Sequence, residues 1–293
     1  MQNLKCNFAV FGFGPITNHL INDFIKDDKN IVCITDHISE SASKKPKDQV
    51  QFISRKEVAN FNLKCDSAIF AWKDLSRLTS SNQDFQKWLF SESFHCNYAV
   101  HLSSASVYHD KSGLIDESEN NLASDALSND KYLLECAISH LMQVKLAHYC
   151  NLRISNVYGL DLKYGFIASL LNSIRTRDPS KVFIGREILR DYISVQDVSF
   201  ALRGIITSQP PNKVVNISTG IATSISEVLK VFSNLGFKFD NAIEVNAADS
   251  IKNSLVLDCR LLSQIIEWQP RSLKHGIKAL LKLSLQSEHS GGV

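Results

Sequence analysis

The amino-acid sequence predicts a doubly wound, parallel α/β sheet joined to a smaller C-terminal α/β lobe. Three observations carry that expectation. Short β-branched runs alternate with longer amphipathic ones through the first half, a glycine-containing turn joins the first such pair, and the pattern becomes more mixed after residue 160. Alternation of this kind builds βαβ units with right-handed crossovers, so the strands lie parallel and helices cover both faces.

"NFAVFGF" (7–13) opens the series as a near-continuous apolar run, the mark of a strand buried on both faces. "ITNHLINDFIKD" (16–27) then spaces its apolar residues as a helix does. "NIVCIT" (30–35), "QVQFIS" (49–54), "SAIFAW" (67–72) and "YAVHLS" (98–103) read as further strands, and "NQDFQKWLFSES" (82–93) as a helix. A long helix is expected from Asn129 to roughly Tyr149, leading to a strand near "LRISNV"; later helices fall near 165–175, 195–207, 224–234 and 271–286. Residues 1–160 then form a dinucleotide-type domain to which 190–220 return. Residues 161–189 and 221–286 form the lobe, and 287–293 a disordered tail.

Composition narrows the function. The 293 residues are 44% hydrophobic, ample for a large core, and the net charge of +2 with no long basic block disfavours nucleic acid and anionic membranes as partners. No run of about eighteen apolar residues is present, and the chain enters its first strand pattern directly, so a cytoplasmic location is expected. The seven cysteines are scattered and never spaced as CxxC, which reads as buried free thiols rather than a metal site or disulfide framework.

"VFGFGPITNHL" places Gly12 and Gly14 between the first strand and the first helix, where glycines let backbone N–H groups approach a pyrophosphate. The third glycine of G-x-G-x-x-G is replaced by Thr17, and a glycine turn unrelated to any cofactor is the rival reading. Asp36 ends the second strand 22 residues beyond Gly14, where a carboxylate takes ribose hydroxyls and repels a 2′-phosphate; this favours NAD over NADP. A solvated strand-end carboxylate is the alternative.

Taken with "HLSSASVY" (101–108), "IDESEN" (115–120), "KYLLE" (131–135), "LRISNVYG" (152–159), "RDYISVQDVSFAL" (190–202), "NISTG" (216–220) and "LLSQIIEWQPRS" (261–272), the loop resembles the extended short-chain dehydrogenase/reductase family, the NAD-dependent nucleotide-sugar epimerases and dehydratases. The resemblance covers nearly the whole chain. It implies a Rossmann-type domain with a C-terminal substrate lobe, NAD held by Gly12, Gly14, Ile16, Asp36, Ala71 and Lys131, a nucleotide-sugar substrate, and a homodimer through the long helix. In that family a hydride moves between nicotinamide and a sugar carbon while a tyrosine passes a proton to or from the sugar oxygen. A lysine four residues on binds the nicotinamide ribose and lowers the tyrosine pKa.

Ser104 matches the family's serine that orients the sugar oxygen, with a strand-end hydroxyl capping the next loop as its alternative. Ala105 and Ser106 lack the carboxylates that the dehydratases carry there. In "ALSNDKYLLE" (126–135) two registers compete: Tyr132 with Cys136 in the lysine position, or Lys131 with Glu135 following it and Leu127 in the tyrosine position. Spacing selects the second. Lys131 lies 25 residues before Asn156 and Glu117 ten before Leu127, the family's ungapped intervals, whereas the first register shortens the Lys–Asn span by five residues, more than one turn. Tyr132 then becomes a packing or surface residue.

On the substrate side, Asn156 resembles the asparagine that bonds sugar or phosphate. Arg190 resembles the arginine that meets a nucleotide phosphate, with a salt bridge to a neighbouring acid as its alternative. "VNAADS" (245–250) lacks the family's diphosphate-clamping arginine, for which Lys181, Arg186 or Arg271 are substitutes by charge. The expectation is an NAD-dependent epimerase or reductase with a degenerate Tyr-x-x-x-Lys site. Its rivals are an inactive relative that binds dinucleotide as a sensor or partner subunit, and a scaffold that binds none.

Overall fold

The computed structural model describes residues 1–36, 43–72, 83–108, 111–119, 126–176, 183–184, 189–237, 239, 243–244 and 254–290, with the backbone course alone for 126–128, 183–184, 243–244 and 284–290. In chain order its elements are β1 (Gln2–Phe11), α1 (Pro15–Lys26), β2 (Ile31–Ile34), β3 (Val50–Ile53), β4 (Phe61–Phe70), α2 (Gln83–Phe90), β5 (Phe94–Ser104), β6 (Gly113–Ile115), α3 (Ala126–Val144), β7 (His148–Ile154), β8 (Asn156–Tyr158), α4 (Phe166–Thr176), β9 (Phe183–Ile184), β10 (Tyr192–Ser194), α5 (Val195–Ser208), β11 (Lys213–Ile217), α6 (Ile225–Asn234), β12 (Ile243–Glu244), β13 (Leu255–Leu257), α7 (Arg260–Ile265) and α8 (Leu273–Ser290).

Seven strands form one sheet in the order β3-β2-β1-β4-β5-β7-β11, every pair parallel. The order reverses between β1 and β4. Outside the carboxyl ends at such a switch point an α/β sheet opens a crevice for ligand.

Alternation along β1 divides the core. Ala9 and Phe11 join Phe85, Trp88, Leu134 and Ile138 on the face covered by α2 and α3. Phe8 and Val10 join Leu20, Phe24, Val198 and Leu202 on the face covered by α1 and α5. Phe11 stacks on Phe70 at 4.6 Å and meets the edge of Phe94 at 5.3 Å. Burying a side chain of this size contributes about 1.5–3 kcal/mol, so this cluster anchors the strand that ends in the glycine turn. A third cluster packs α4, α6 and α8 through Leu170, Val228, Phe232, Ile277 and Leu280 against Tyr158 and Tyr192 of the short β8–β10 pair.

Two boundaries differ from expectation. The helix expected over 129–149 spans Ala126–Val144; the chain reverses at Leu146 (φ 55), and Tyr149 pairs with Ala99 in the sheet. An apolar run continuing through "LAHYC" satisfies helix and strand alike, and the sheet register decides it. The last helix runs through Ser290, so 287–290 are helical rather than a disordered tail, while 291–293 lie outside the described residues. The short elements α7, β6, β8 to β10 and β13 contain too few residues to show a period. No described helix is long and apolar enough to cross a membrane.

Candidate functional site

The turn after β1 divides labour between its glycines. Gly12 has φ +103, and a Cβ there would sit 2.8 Å from the Ala71 carbonyl oxygen, so this glycine serves the chain's own packing. Ala71 in turn donates its N–H to Phe11 O at 2.9 Å, which sets the end of β4 beside the turn. Gly14 is different. Its backbone is extended, and a Cβ would meet nothing within 4 Å. That open side at the N-terminus of α1 is the cradle a pyrophosphate needs.

The supply of N–H donors is reduced. Gly14 N–H donates to Thr17 Oγ1 at 2.8 Å, and Thr17 Oγ1 donates back to Gly14 O at 3.1 Å, with Thr17 only 1% exposed. Pro15 has no N–H to offer. Ile16, in the first turn, keeps an N–H that no intrahelical acceptor claims. The residues therefore fit a dinucleotide phosphate through fewer donors than a three-glycine loop provides.

Beyond β2, Asp36 is paired. Arg55 donates its backbone N–H to Asp36 Oδ1 at 3.1 Å, and its Nε and Nη2 reach Oδ2. Both residues stand two positions past the paired strand ends Ile34 and Ile53. Arg55 went unremarked in the sequence, although a cation just past a strand's carboxyl end is a usable signal.

Ser104 ends β5, and its Oγ accepts the Ser106 N–H at 3.2 Å, capping the 3-10 turn Ala105–Tyr108. Helix α3 lies alongside, bound by Glu135. Glu135 accepts Arg153 Nε at 3.0 Å and Nη2 at 2.7 Å, and Ser103 Oγ as well. Tyr108 accepts from Arg153 Nη1 at 2.9 Å and donates to Asn216 Oδ1 at 3.0 Å. Lys131 stands one turn before Glu135 on the same helix face and Leu127 one turn before that. The Leu127 side chain lies outside the described residues.

Lys131 is near enough to act on His101. Burial pushes that imidazole down to about 4, and Lys131 adds to the effect against the opposing pull of Glu135 and Asn151. Tyr132 instead packs on the cluster of Ala105, Val107, Tyr108, Ile115 and Leu257, next to Cys136, which raises its phenol pKa. A general acid–base phenol needs the opposite shift, toward neutrality.

Asn156 and Arg190 come together in a cleft of ≈ 210 Å³ that Tyr158, Tyr164, Phe166 and Tyr192 also line. Asn156 Nδ2 donates to Asp191 O at 2.9 Å, and Arg190 Nη1 to Leu189 O at 3.0 Å. These aromatics were not singled out in the sequence because three elements converge to place them. Arg271 is held by Asp197 at 2.9 Å. Lys181, Arg186 and 245–250 lie outside the described residues. Among the described residues there is no group of three or more His, Cys, Asp or Glu able to hold a metal.

Comparison with known proteins follows the same features. The model of the NAD-dependent epimerase/dehydratase family matches residues 12–218, from the glycine turn to the end of β11. The chain belongs to this family. A putative UDP-glucose 4-epimerase from Methanocaldococcus jannaschii is 29% identical over 188 residues, 61% of this chain and 60% of that protein, so the chain matches less than two thirds of that relative's length. Solved structures agree in fold. The UDP-glucose 4-epimerase of Thermotoga maritima, solved with UDP-glucose, superposes with a TM-score of 0.78 at 17% identity, covering 96% of this chain and 99% of that one. The UDP-glucuronic acid 4-epimerase of Bacillus cereus, solved with NAD, gives 0.76 at 17%, covering 97% and 99%.

Proposed function

We propose that the protein is an NAD-dependent nucleotide-sugar epimerase or reductase with a degenerate Tyr-x-x-x-Lys site, Leu127 standing in the tyrosine position. The observation that carries the reading is the cleft uniting Asn156 and Arg190. An amide and a guanidinium over an aromatic-lined floor suit a nucleoside diphosphate attached to a sugar. Gly12, Gly14, Ile16, Asp36, Ala71 and Lys131 would hold NAD, which when bound supplies the hydride acceptor. Lys131 binds ribose hydroxyls, and Ser104 orients the sugar oxygen. The proton passes through water or another group in place of the phenol, and losing a general acid–base residue costs about 10²–10⁴-fold in rate.

A second reading is an inactive relative that binds dinucleotide and sugar nucleotide as a sensor or partner subunit. The packing of Tyr132 on the cluster of Ala105, Val107 and Tyr108 favours it. Either form is read as cytoplasmic, with neither nucleic acid nor membrane as a partner. The lobe of 161–189 and 221–286 takes the sugar nucleotide, and two chains associate along α3, where Leu133 is 43% exposed.

Calorimetry with NAD and NADH, then product analysis with UDP-, GDP- and dTDP-sugars, tests the pair. Turnover supports the enzyme, and cofactor binding without turnover supports the inactive relative. No binding at millimolar cofactor sinks both. Leu127→Tyr should create or raise turnover; if it gains none while cofactor binds, the register or the substrate class is wrong.

A further inference from the structure

We propose that Asp36 and Arg55 form a subsite that admits a phosphate on the 2′-oxygen of the adenosine ribose, so that the protein takes NADP(H) alongside NAD(H). The inference rests on the dinucleotide reading above and concerns the far end of the same cofactor.

Asp36 by its position alone excludes a 2′-phosphate through like-charge repulsion. The tertiary structure changes its electrostatics. The neighbouring strands β2 and β3 end in register at Ile34 and Ile53, and two residues later each contributes one charge of opposite sign. The carboxylate accepts from the Arg55 backbone N–H, Nε and Nη2. Its charge is therefore matched.

Arg55 is held almost wholly within the fold, 11% exposed, against 28% for Asp36. Its Nη1 is buried and has no hydrogen-bond partner among the described residues. A guanidinium carries five N–H donors in a planar fork, and an unpaired buried donor is unfavourable until an acceptor reaches it. A phosphate oxygen is the acceptor that this fork matches best. An arginine near the ribose is also the general means by which dinucleotide folds accommodate the extra phosphate. A small shift that shares Arg55 between carboxylate and phosphate keeps the local charge near balance. The same pair still leaves Asp36 able to meet the ribose hydroxyls of NAD.

Calorimetry on the full chain with 5′-ADP and 2′,5′-ADP tests the subsite without any need for turnover. The expected result is binding of 2′,5′-ADP within about tenfold of 5′-ADP, with the steeper salt dependence of the more charged ligand. Arg55→Met should weaken 2′,5′-ADP by about tenfold or more and leave 5′-ADP within about threefold. Asp36→Asn should shift preference toward 2′,5′-ADP; this variant keeps the test valid if Arg55→Met does not fold. Binding of 5′-ADP with 2′,5′-ADP more than about tenfold weaker overturns the subsite while sparing the dinucleotide reading. Equal weakening of both ligands by Arg55→Met overturns it too. If neither ligand binds, the dinucleotide reading falls together with the subsite.

Discussion

Glu135 and Arg153 form a two-point ion pair between α3 and β7, with Arg153 Nε at 3.0 Å and Nη2 at 2.7 Å from the two carboxylate oxygens and both side chains at most 4% exposed. The pair fixes the helix one turn beyond Lys131 to the strand that leads into Asn156.

Removing one partner leaves the other charge buried. Glu135→Leu or Arg153→Met alone should lower stability by about 3–5 kcal/mol, while the two together should recover most of the loss. Chemical denaturation of the two single variants and the double variant measures the coupling. Additive losses would show that the pair does not act as a unit.

The two glycines of the phosphate turn should separate on substitution. Gly12→Ala forces a Cβ onto the Ala71 carbonyl at φ +103, and a loss of about 1–3 kcal/mol is expected from strained backbone. Gly14→Ala meets open space and should leave the melting temperature nearly unchanged. It should nonetheless weaken NAD by about tenfold, because the methyl stands where the phosphate approaches. Thermal melts beside calorimetry distinguish the two outcomes.

Thr17→Val removes the hydroxyl that occupies the Gly14 N–H while keeping the shape of the buried side chain. Losing this cap costs about 1 kcal/mol of stability. The released donor should tighten NAD binding by about three- to tenfold, roughly one charge-assisted hydrogen bond. A variant that is less stable but binds no better would show that the phosphate sits away from Gly14.

His101 gives the protein an acid-sensitive core. It is 2% exposed, its Nδ1 lies 3.1 Å from Asn151 Oδ1, and burial holds its pKa down from 6.5 to about 4. Between those values the unfolded chain binds the proton and the folded chain does not. Stability is therefore intact above pH 6.5 and falls as the pH drops toward 4, by about 2 kcal/mol at pH 5. His101→Gln should flatten that part of the stability–pH curve; an unchanged slope would assign the acid limb to other groups.

Periodicity and turn chemistry made the α/β order and the glycine turn legible in the sequence, because those signals are local. The interval from Lys131 to Asn156 reflects a helix, a turn and a strand counted along one chain. What tertiary structure alone decided are the pairings. Asp36 reads as a bare carboxylate until β2 and β3 align and bring Arg55, 19 residues away, onto it. Asn156 and Arg190 enter one cleft only because β8 pairs with β10, and the Gly14 N–H is spent only because Thr17 turns inward. Side-chain partners depend on which strands lie adjacent and on which way each residue faces. Neither is encoded in local spacing.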